Sequence, residues 1–147
     1  MNLFEFAENI QNYSTDKFMN DLSAELDSNQ EVLDLQLSQW DKGEDSNGQV
    51  LGYYTKMTEI LSGGKKKEGD RYNLLDTGSF RASTYLLPME KSNDLVFDFD
   101  SSDSKTSELI QKIGPSIFGL QDKNIERFTL IAIEKAKQIL NTNLKLK

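Results

Sequence analysis

The stretch from Leu74 to Thr84 holds the residues of this chain whose types and spacing could do chemistry. Within it Asp76 is followed directly by Thr77 and Gly78, and Ser83 lies five residues after the glycine. The Asp76 carboxylate, held on a loop, could act as a general acid or base. The same residues can form a structural turn, because Asp and Thr side chains bond the local backbone and glycine accepts a positive φ. Asp76 is therefore a candidate catalytic residue in one interpretation, and part of a structural turn in the other.

The composition excludes most other catalytic machinery. The chain has no Cys and no His, so thiolate nucleophiles, disulfides, histidine-based triads and histidine zinc sites are excluded. Its net charge of −7 argues against a nucleic-acid groove, which needs an excess of Lys and Arg to displace counterions. No apolar run is long enough to span a bilayer, and no secretory signal is expected at Met1. We expect no cofactor.

Two clusters of charge are candidate binding sites. The acidic turn from Asp41 to Gly48 does not fit a calcium loop, since the sixth and twelfth positions hold Ser46 and Gly52 instead of glycine and glutamate. No metal site is therefore predicted. The basic run Lys65–Lys67 lies between glycines and predicts a solvated loop, with contact to nucleic acid or to an acidic neighbour as the alternative.

The N-terminal part, residues 1–43, is predicted to be helical. Ser14 begins a new helix after a first one, and Ser28 with Glu31 forms a capping box for the next, which Gly43 ends. The first two helices place apolar residues at helical spacing, which predicts core packing, with a groove for a partner helix as the alternative. These residues are Leu3, Phe6, Ile10, Phe18, Leu22 and Leu26.

The middle of the chain is predicted to contain turns and a β-hairpin. Residues 44–73 are loop-rich, with one short helix that Thr55 caps. Residues 74–100 comprise the Asp76 turn, a strand over Phe80–Leu87 that Pro88 confines to an edge or ends, a turn at Lys91–Asp94, and a strand over Leu95–Asp100. Phe97 and Phe99 share one face of that second strand.

Residues 104–142 are predicted to be helical again. Gly114 and Pro115 end a short helix, and Asp122 caps the last one. The apolar face of this last helix comprises Ile125, Phe128, Ala132, Ala136, Ile139 and Leu140. The whole pattern predicts a single α+β domain over residues 1–147: a helical N-terminal part, a central hairpin or small antiparallel sheet, and a C-terminal helix.

The segment Leu74–Ser79 resembles the signature of aspartic proteases. The resemblance implies a homodimer in which two Asp76 carboxylates share a proton over the scissile bond. Ile117–Gly119, before a helix, superficially matches a later segment of these enzymes. Against this interpretation, a long helical part precedes the motif, few residues separate Asp76 from Gly119, and no glycine-rich flap lies between Pro88 and Asp100.

The order of several segments resembles small neck, connector and tail-completion proteins of tailed bacteriophages, especially those of phages of Bacteroidetes hosts, including crAss-like phages. The matching pieces are Trp40–Gly43, Asp45–Gly48, Leu51–Tyr54 with Thr58, Leu74–Gly78 with Phe80 and Ser83, and Ile117–Leu120. Together they extend over roughly residues 36 to 130. The resemblance implies a turn that leads into a sheet strand, with structural roles for Asp76, Thr77, Gly78 and Ser83.

The same resemblance implies a non-enzymatic virion protein, made in the host cytoplasm, that forms a homo-oligomeric ring. Expected partners are further copies and virion proteins such as portal or tail proteins. DNA would pass nearby without sequence-specific binding, and no membrane partner is expected. A capsid- or cargo-associated phage adaptor is the third interpretation. The residues predicted to form the interface are Trp40, Tyr53, Tyr54, Phe80, Phe97, Phe99 and Phe118.

Overall fold

A computed structural model of the chain describes residues 3–91 and 94–145, apart from the side chains of residues 89–91, 94 and 95. Across these residues seven α-helices accompany one two-stranded antiparallel sheet, which confirms the predicted α+β class. The elements are α1 (Leu3–Asn12), α2 (Thr15–Asp27), α3 (Gln30–Asp41), α4 (Lys56–Leu61), α5 (Ser79–Ala82), β1 (Thr84–Lys91), β2 (Asp94–Ser101), α6 (Thr106–Ile113), a 3-10 turn (Pro115–Ile117) and α7 (Asp122–Asn143).

Hydrogen-bonding side chains set the starts of three of the N-terminal helices. Ser14 Oγ accepts from the Lys17 N–H at 3.2 Å and begins α2, as predicted, and Thr55 likewise caps α4. The capping box predicted at Ser28 is wrong. Asn29 is the N-cap of α3, and its Oδ1 accepts from the Val32 N–H at 3.3 Å, while Ser28 ends α2. Asn caps a helix as well as Ser does, and Asn29 lies at the position where α3 begins.

The first strand begins later than the sequence predicted. Residues 79–82 form α5 instead, because the Ala82 N–H donates to the Gly78 carbonyl and the Ser83 N–H to the Ser79 carbonyl, both at 2.9 Å. Phe80 therefore enters the core from a helical turn and not from a strand. Pro88 lies inside β1 and does not end it.

The hairpin register explains how β1 accommodates a proline. Leu86 pairs with Phe99, and the Leu86 N–H points away from β2 to donate to Asp27 Oδ1 at 2.9 Å. Pro88, two residues further on, has the same orientation, so the N–H that it lacks would not have belonged to the ladder. The predicted turn at Lys91–Asp94 includes Ser92 and Asn93, which lie outside the described residues.

The outer edge of β2 is covered by its own side chains. Asp98 Oδ1 accepts from the Phe99 N–H, and Asp100 Oδ1 accepts from the Ser101 N–H, each at 2.8 Å. Phe99 pairs with Leu86, and Ser101 pairs with Thr84, two residues before Leu86. Since the Leu86 N–H points away from β2, the N–H groups of Phe99 and Ser101 point away from β1. The acidic residues thus occupy donors that another strand would need for pairing.

Helix α7 lies along α2 and α3 and carries part of the core. It begins at Asp122 itself, after Gln121, so the predicted cap at Asp122 is wrong by one residue, and Gln121 makes no side-chain capping bond. Its buried residues are Asn124, Ile131 and Ile139. Ile125, which was predicted on the core face, is exposed.

The buried apolar side chains form one cluster between α2, α3, the hairpin and α7. Trp40 is at its centre, with ring centroids 5.3 Å from Phe80 and 6.0 Å from Phe118. Helix α1 was predicted to pack on the core, but none of its residues is buried. In the described part of the chain, no helix combines the length and the apolar character needed to cross a bilayer.

Candidate functional site at the Asp76 loop

The Asp76 loop, residues 73–78, is a turn held by side-chain hydrogen bonds. Its backbone has positive φ at Leu74 (57°) and at Gly78 (90°). Asn73 Oδ1 accepts from the Leu75 N–H at 3.0 Å, and Thr77 Oγ1 accepts from the Ser79 N–H at 3.3 Å. Thr77 thus contributes a hydrogen bond and Gly78 a positive φ to the turn, whereas the Asx bond comes from Asn73 and not, as the sequence predicted, from Asp76. Ser83 lies at the end of α5, where its N–H closes that helical turn.

Two ammonium groups hold the Asp76 carboxylate. Lys105 Nζ lies 3.0 Å from Oδ2, and Lys66 Nζ lies 3.6 Å from Oδ1. The hydrogen bond from Lys105 and the charges of Lys66 and Lys105 keep the pKa of Asp76 below its usual value. Asp76 in turn raises the pKa of Lys105. A carboxylate in this setting stays ionised, which is unlike a carboxyl group that shares a proton with a second one.

Asp103 ties the loop to the beginning of α6. Ser79 Oγ donates to Asp103 Oδ2 at 2.6 Å, and the Lys105 N–H donates to Oδ1 at 2.8 Å. The Ser79 hydrogen bond is the main cause of a lowered pKa at Asp103. These bonds place Lys105 beside the Asp76 loop although the two are far apart in sequence.

A cleft of about 240 Å³ opens beside this loop, and we call it the lysine cleft. It is lined by Tyr54, Thr58, Lys66, Tyr72, Leu74–Phe80, Lys105, Leu109, Lys112 and Ile113. The Tyr54 and Tyr72 rings meet edge to face, with centroids 4.9 Å apart. Lys66 Nζ lies 5.4 Å from the Tyr54 ring centroid, and Lys112 Nζ lies 4.9 Å from the Tyr72 ring centroid. The cleft combines positive charge with an aromatic wall.

The structure separates the seven residues predicted to form an interface. Tyr54 and Phe80 line the lysine cleft beside Asp76, Thr77 and Gly78. Tyr53 is exposed, and Phe97 is half-buried with its ring 5.5 Å from that of Phe128. Four of the seven are buried and expose at most a small edge in the folded single chain, so the interface prediction is wrong for them. They are Trp40, Phe80, Phe99 and Phe118.

The acidic turn after α3 is held by hydrogen bonds. Asp45 is buried, and its Oδ1 accepts from the N–H groups of Asn47 and Gln49 at 2.8 Å each. Its Oδ2 accepts from Ser116 Oγ at 2.7 Å. The Asp45 carboxylate thus shapes the acidic turn and links it to Ser116 in the 3-10 turn. Across the described residues, no three acidic side chains are grouped in a way that would hold a metal ion.

The sequence did not predict the polar network, a set of buried hydrogen bonds that Gln36, Gln39 and Trp40 make with the backbone of residues 117–121. Gln39 Nε2 donates to the Gly119 carbonyl at 2.9 Å, and its Oε1 accepts from the Gln121 N–H and from Asn124 Nδ2, both at 2.8 Å. Trp40 Nε1 donates to the Ile117 carbonyl at 2.8 Å. The spacing of Gln36, Gln39 and Trp40 on one helix face was the available signal.

Gln36 completes the polar network. Its Nε2 donates to the Ile117 carbonyl at 3.3 Å, and its Oε1 accepts from the Gly119 N–H at 2.9 Å. Two of the segments that carry the phage resemblance, Trp40–Gly43 and Ile117–Leu120, therefore meet in space through the Trp40 hydrogen bond.

Comparisons of the chain with protein-family models, with curated proteins and with solved structures give no match.

Proposed function

We propose that this chain is a structural protein of a tailed-bacteriophage particle and assembles into a homo-oligomeric ring of the head–tail connector, neck or tail-completion kind. The phage assignment rests on the resemblance to neck, connector and tail-completion proteins, which extends over roughly residues 36 to 130. The ring assignment rests on one observation, the presence of two helices, α1 and α4, that expose apolar side chains and bury none.

Helix α1 presents an apolar surface that the chain itself does not cover. None of its residues is buried, Phe4 is 89% exposed, and Leu3 and Ile10 are exposed as well. Apolar side chains gathered on one helix mark an interaction surface, since burying them would be favourable.

Helix α4 presents a second apolar surface. None of its residues is buried, Leu61 is 80% exposed, and Met57 and Ile60 are also exposed. A contact between α1 of one copy and α4 of the next would be heterologous, because two different patches meet. Heterologous contacts generate rings when the rotation closes. A two-fold dimer would instead pair one patch with the same patch of a second copy.

The hairpin favours association through helices. Both outward donors of β2 described above are occupied by Asp98 and Asp100, so strand addition at that edge would first have to break these bonds. On β1, Pro88 lacks an N–H and Asp27 occupies that of Leu86. At each edge, two N–H positions are therefore unavailable to a neighbouring strand.

The charge of the chain fits a particle through which DNA moves. With a net charge of −7, a ring of copies would repel DNA phosphates, so DNA would pass without sequence-specific binding. Other virion proteins, such as portal or tail proteins, would be the neighbours of the ring. The aspartic protease interpretation has less support, because the charged partners of Asp76 are Lys66 and Lys105, which favour its ionised form.

Native mass spectrometry and electron microscopy of the purified chain test the ring. We expect rings of about six or twelve copies, and we expect the double substitutions Leu3→Ser with Phe4→Ser, or Met57→Ser with Leu61→Ser, to release monomers. Leu130→Ser is the matched control, since Leu130 is an exposed apolar residue on α7, and should leave the ring intact. A chain that stays monomeric at high concentration would contradict the proposal. So would a two-fold dimer whose peptidase activity Asp76→Asn abolishes.

A further inference from the structure

The lysine cleft concentrates positive charge in an acidic protein. Its charged lining residues, among those described, are Lys66, Lys105 and Lys112 with Asp76 as the single acidic side chain. The chain as a whole carries −7. Asp76 neutralises part of this local charge, and Asp103 and Glu108 act on Lys105 from outside the lining. Lys66 and Lys112 keep the cleft attractive to an anion.

The contacts of Asp76 show that Lys66 and Lys105 can together bind one oxyanion. Each of its carboxylate oxygens contacts one ammonium group, Oδ1 that of Lys66 and Oδ2 that of Lys105. The Asp76 side chain is 62% exposed, so solvent screens both ion pairs and each stabilises the loop only weakly. An incoming oxyanion can therefore take its place between the two lysines while Asp76 turns to water.

The remainder of the cleft suits an apolar body attached to that oxyanion. Its wall comprises Leu74, Phe80, Leu109 and Ile113 next to the Tyr54–Tyr72 ring pair. The volume of about 240 Å³ lies just below the range of about 300–1,000 Å³ that is usual for ligand pockets. The cleft is thus of a size for one ring or a short apolar chain. Lys112 adds positive charge at the Tyr72 side.

We infer that the lysine cleft binds a small organic anion, a single ring or short apolar body that carries a phosphate or carboxylate, with the oxyanion held by Lys66 and Lys105 in place of Asp76. A phosphomonoester carries a charge of about −1.5 to −2 near neutral pH, so it pairs with two lysines more completely than one carboxylate does. This binding goes beyond the ring proposal and does not depend on it, because every residue of the cleft belongs to one chain.

Titration of the full-length chain with phenyl phosphate, followed by nuclear magnetic resonance of its amide groups, tests the inference. We expect saturable shifts at the cleft, a Kd about tenfold lower in Asp76→Asn because the internal competitor is gone, and a Kd about tenfold higher in Lys105→Gln. Lys123→Gln removes an exposed lysine on α7 and is the matched control, with an unchanged Kd. Benzyl alcohol, which has no charge, should not bind.

Benzoate distinguishes the two oxyanions. Tighter binding of phenyl phosphate than of benzoate assigns the site to phosphates, and the reverse order assigns it to carboxylates. Shifts that do not saturate, or a Kd that Asp76→Asn and Lys105→Gln leave equal to that of Lys123→Gln, would overturn the inference. Circular dichroism of each variant verifies that the comparison concerns folded protein.

Discussion

The polar network and the Asp76 loop both join distant parts of the chain through polar side chains, but they differ in burial. Gln36 and Gln39 are 0% and 2% exposed, whereas the Asp76 side chain is 62% exposed. Inside the core, a lost partner leaves a donor or acceptor that water cannot reach. At the surface, water replaces a lost ion-pair partner at little cost. The same kind of bond is therefore decisive for folding in one region and replaceable in the other.

The largest effect is expected from Gln39→Ala. This change leaves the Gly119 carbonyl and the Gln121 N–H without their partner inside the protein, and it leaves the Asn124 amide with the Leu35 carbonyl alone. With a cost of about 1–3 kcal/mol for each buried polar group left unsatisfied, we expect the free energy of unfolding to fall by about 3 kcal/mol or more. Urea denaturation followed by circular dichroism measures it.

Gln30→Ala is the matched control on the same helix. Gln30 is exposed, and its Nε2 donates only to Asp34 at 2.7 Å within the described structure. We expect its free energy of unfolding to stay within about 0.5 kcal/mol of the parent chain. A loss of similar size in both variants would mean that burial does not distinguish the network from the surface.

The sequence predicted the elements better than it predicted the contacts between them. Local signals sufficed where a single nearby residue sets the end of a helix. Ser14 caps the start of α2 with a hydrogen bond, and Gly43 ends α3 with φ of 69°. They were insufficient at Phe80, where β-forming residues follow the loop but two backbone bonds produce a helical turn first. Propensity is a weak guide over so few residues.

The candidate site was harder to predict because its partners are distant in sequence. Asp76 and Gly78 were recognised from a local motif, but Lys105 reaches Asp76 only because Asp103 anchors α6 to Ser79. Trp40 and Phe118 were predicted to form the interface, yet hydrophobic burial places both inside the chain. The exposed apolar residues of α1 and α4 could not be told from core residues, since periodicity shows a face and not what covers it.

A smaller effect is expected from Gly78→Val, which tests the geometry of the loop apart from its charge. Gly78 has φ of 90°, where a β-branched residue is strained, although no atom would clash with an added Cβ. We expect a loss of about 1–2 kcal/mol in the free energy of unfolding. Asp76→Asn keeps the shape of the side chain and should change the melting temperature less. If thermal melts ranked these two variants in the opposite order, the charge of Asp76 would matter more than the turn.

The smallest effect concerns the dependence of stability on pH. The pKa of Asp76 is lowered in the folded chain by Lys105 and Lys66, so the ionised carboxylate favours the folded state. Its contribution is present above the ordinary aspartate pKa of about 3.9 and is lost as the pH falls through the lower folded value. The urea midpoint of the parent chain should therefore fall more steeply below about pH 4 than that of Asp76→Asn.

Salt provides the internal control for this last comparison. Because both ion pairs of Asp76 are exposed, about 0.5 M sodium chloride should screen them and bring the two pH profiles together. Ion pairs buried in the core would resist such screening. Profiles that already coincide at low salt would show that Lys66 and Lys105 do not favour the charged form of Asp76. The carboxylate would then not be the internal competitor that the anion-binding inference requires.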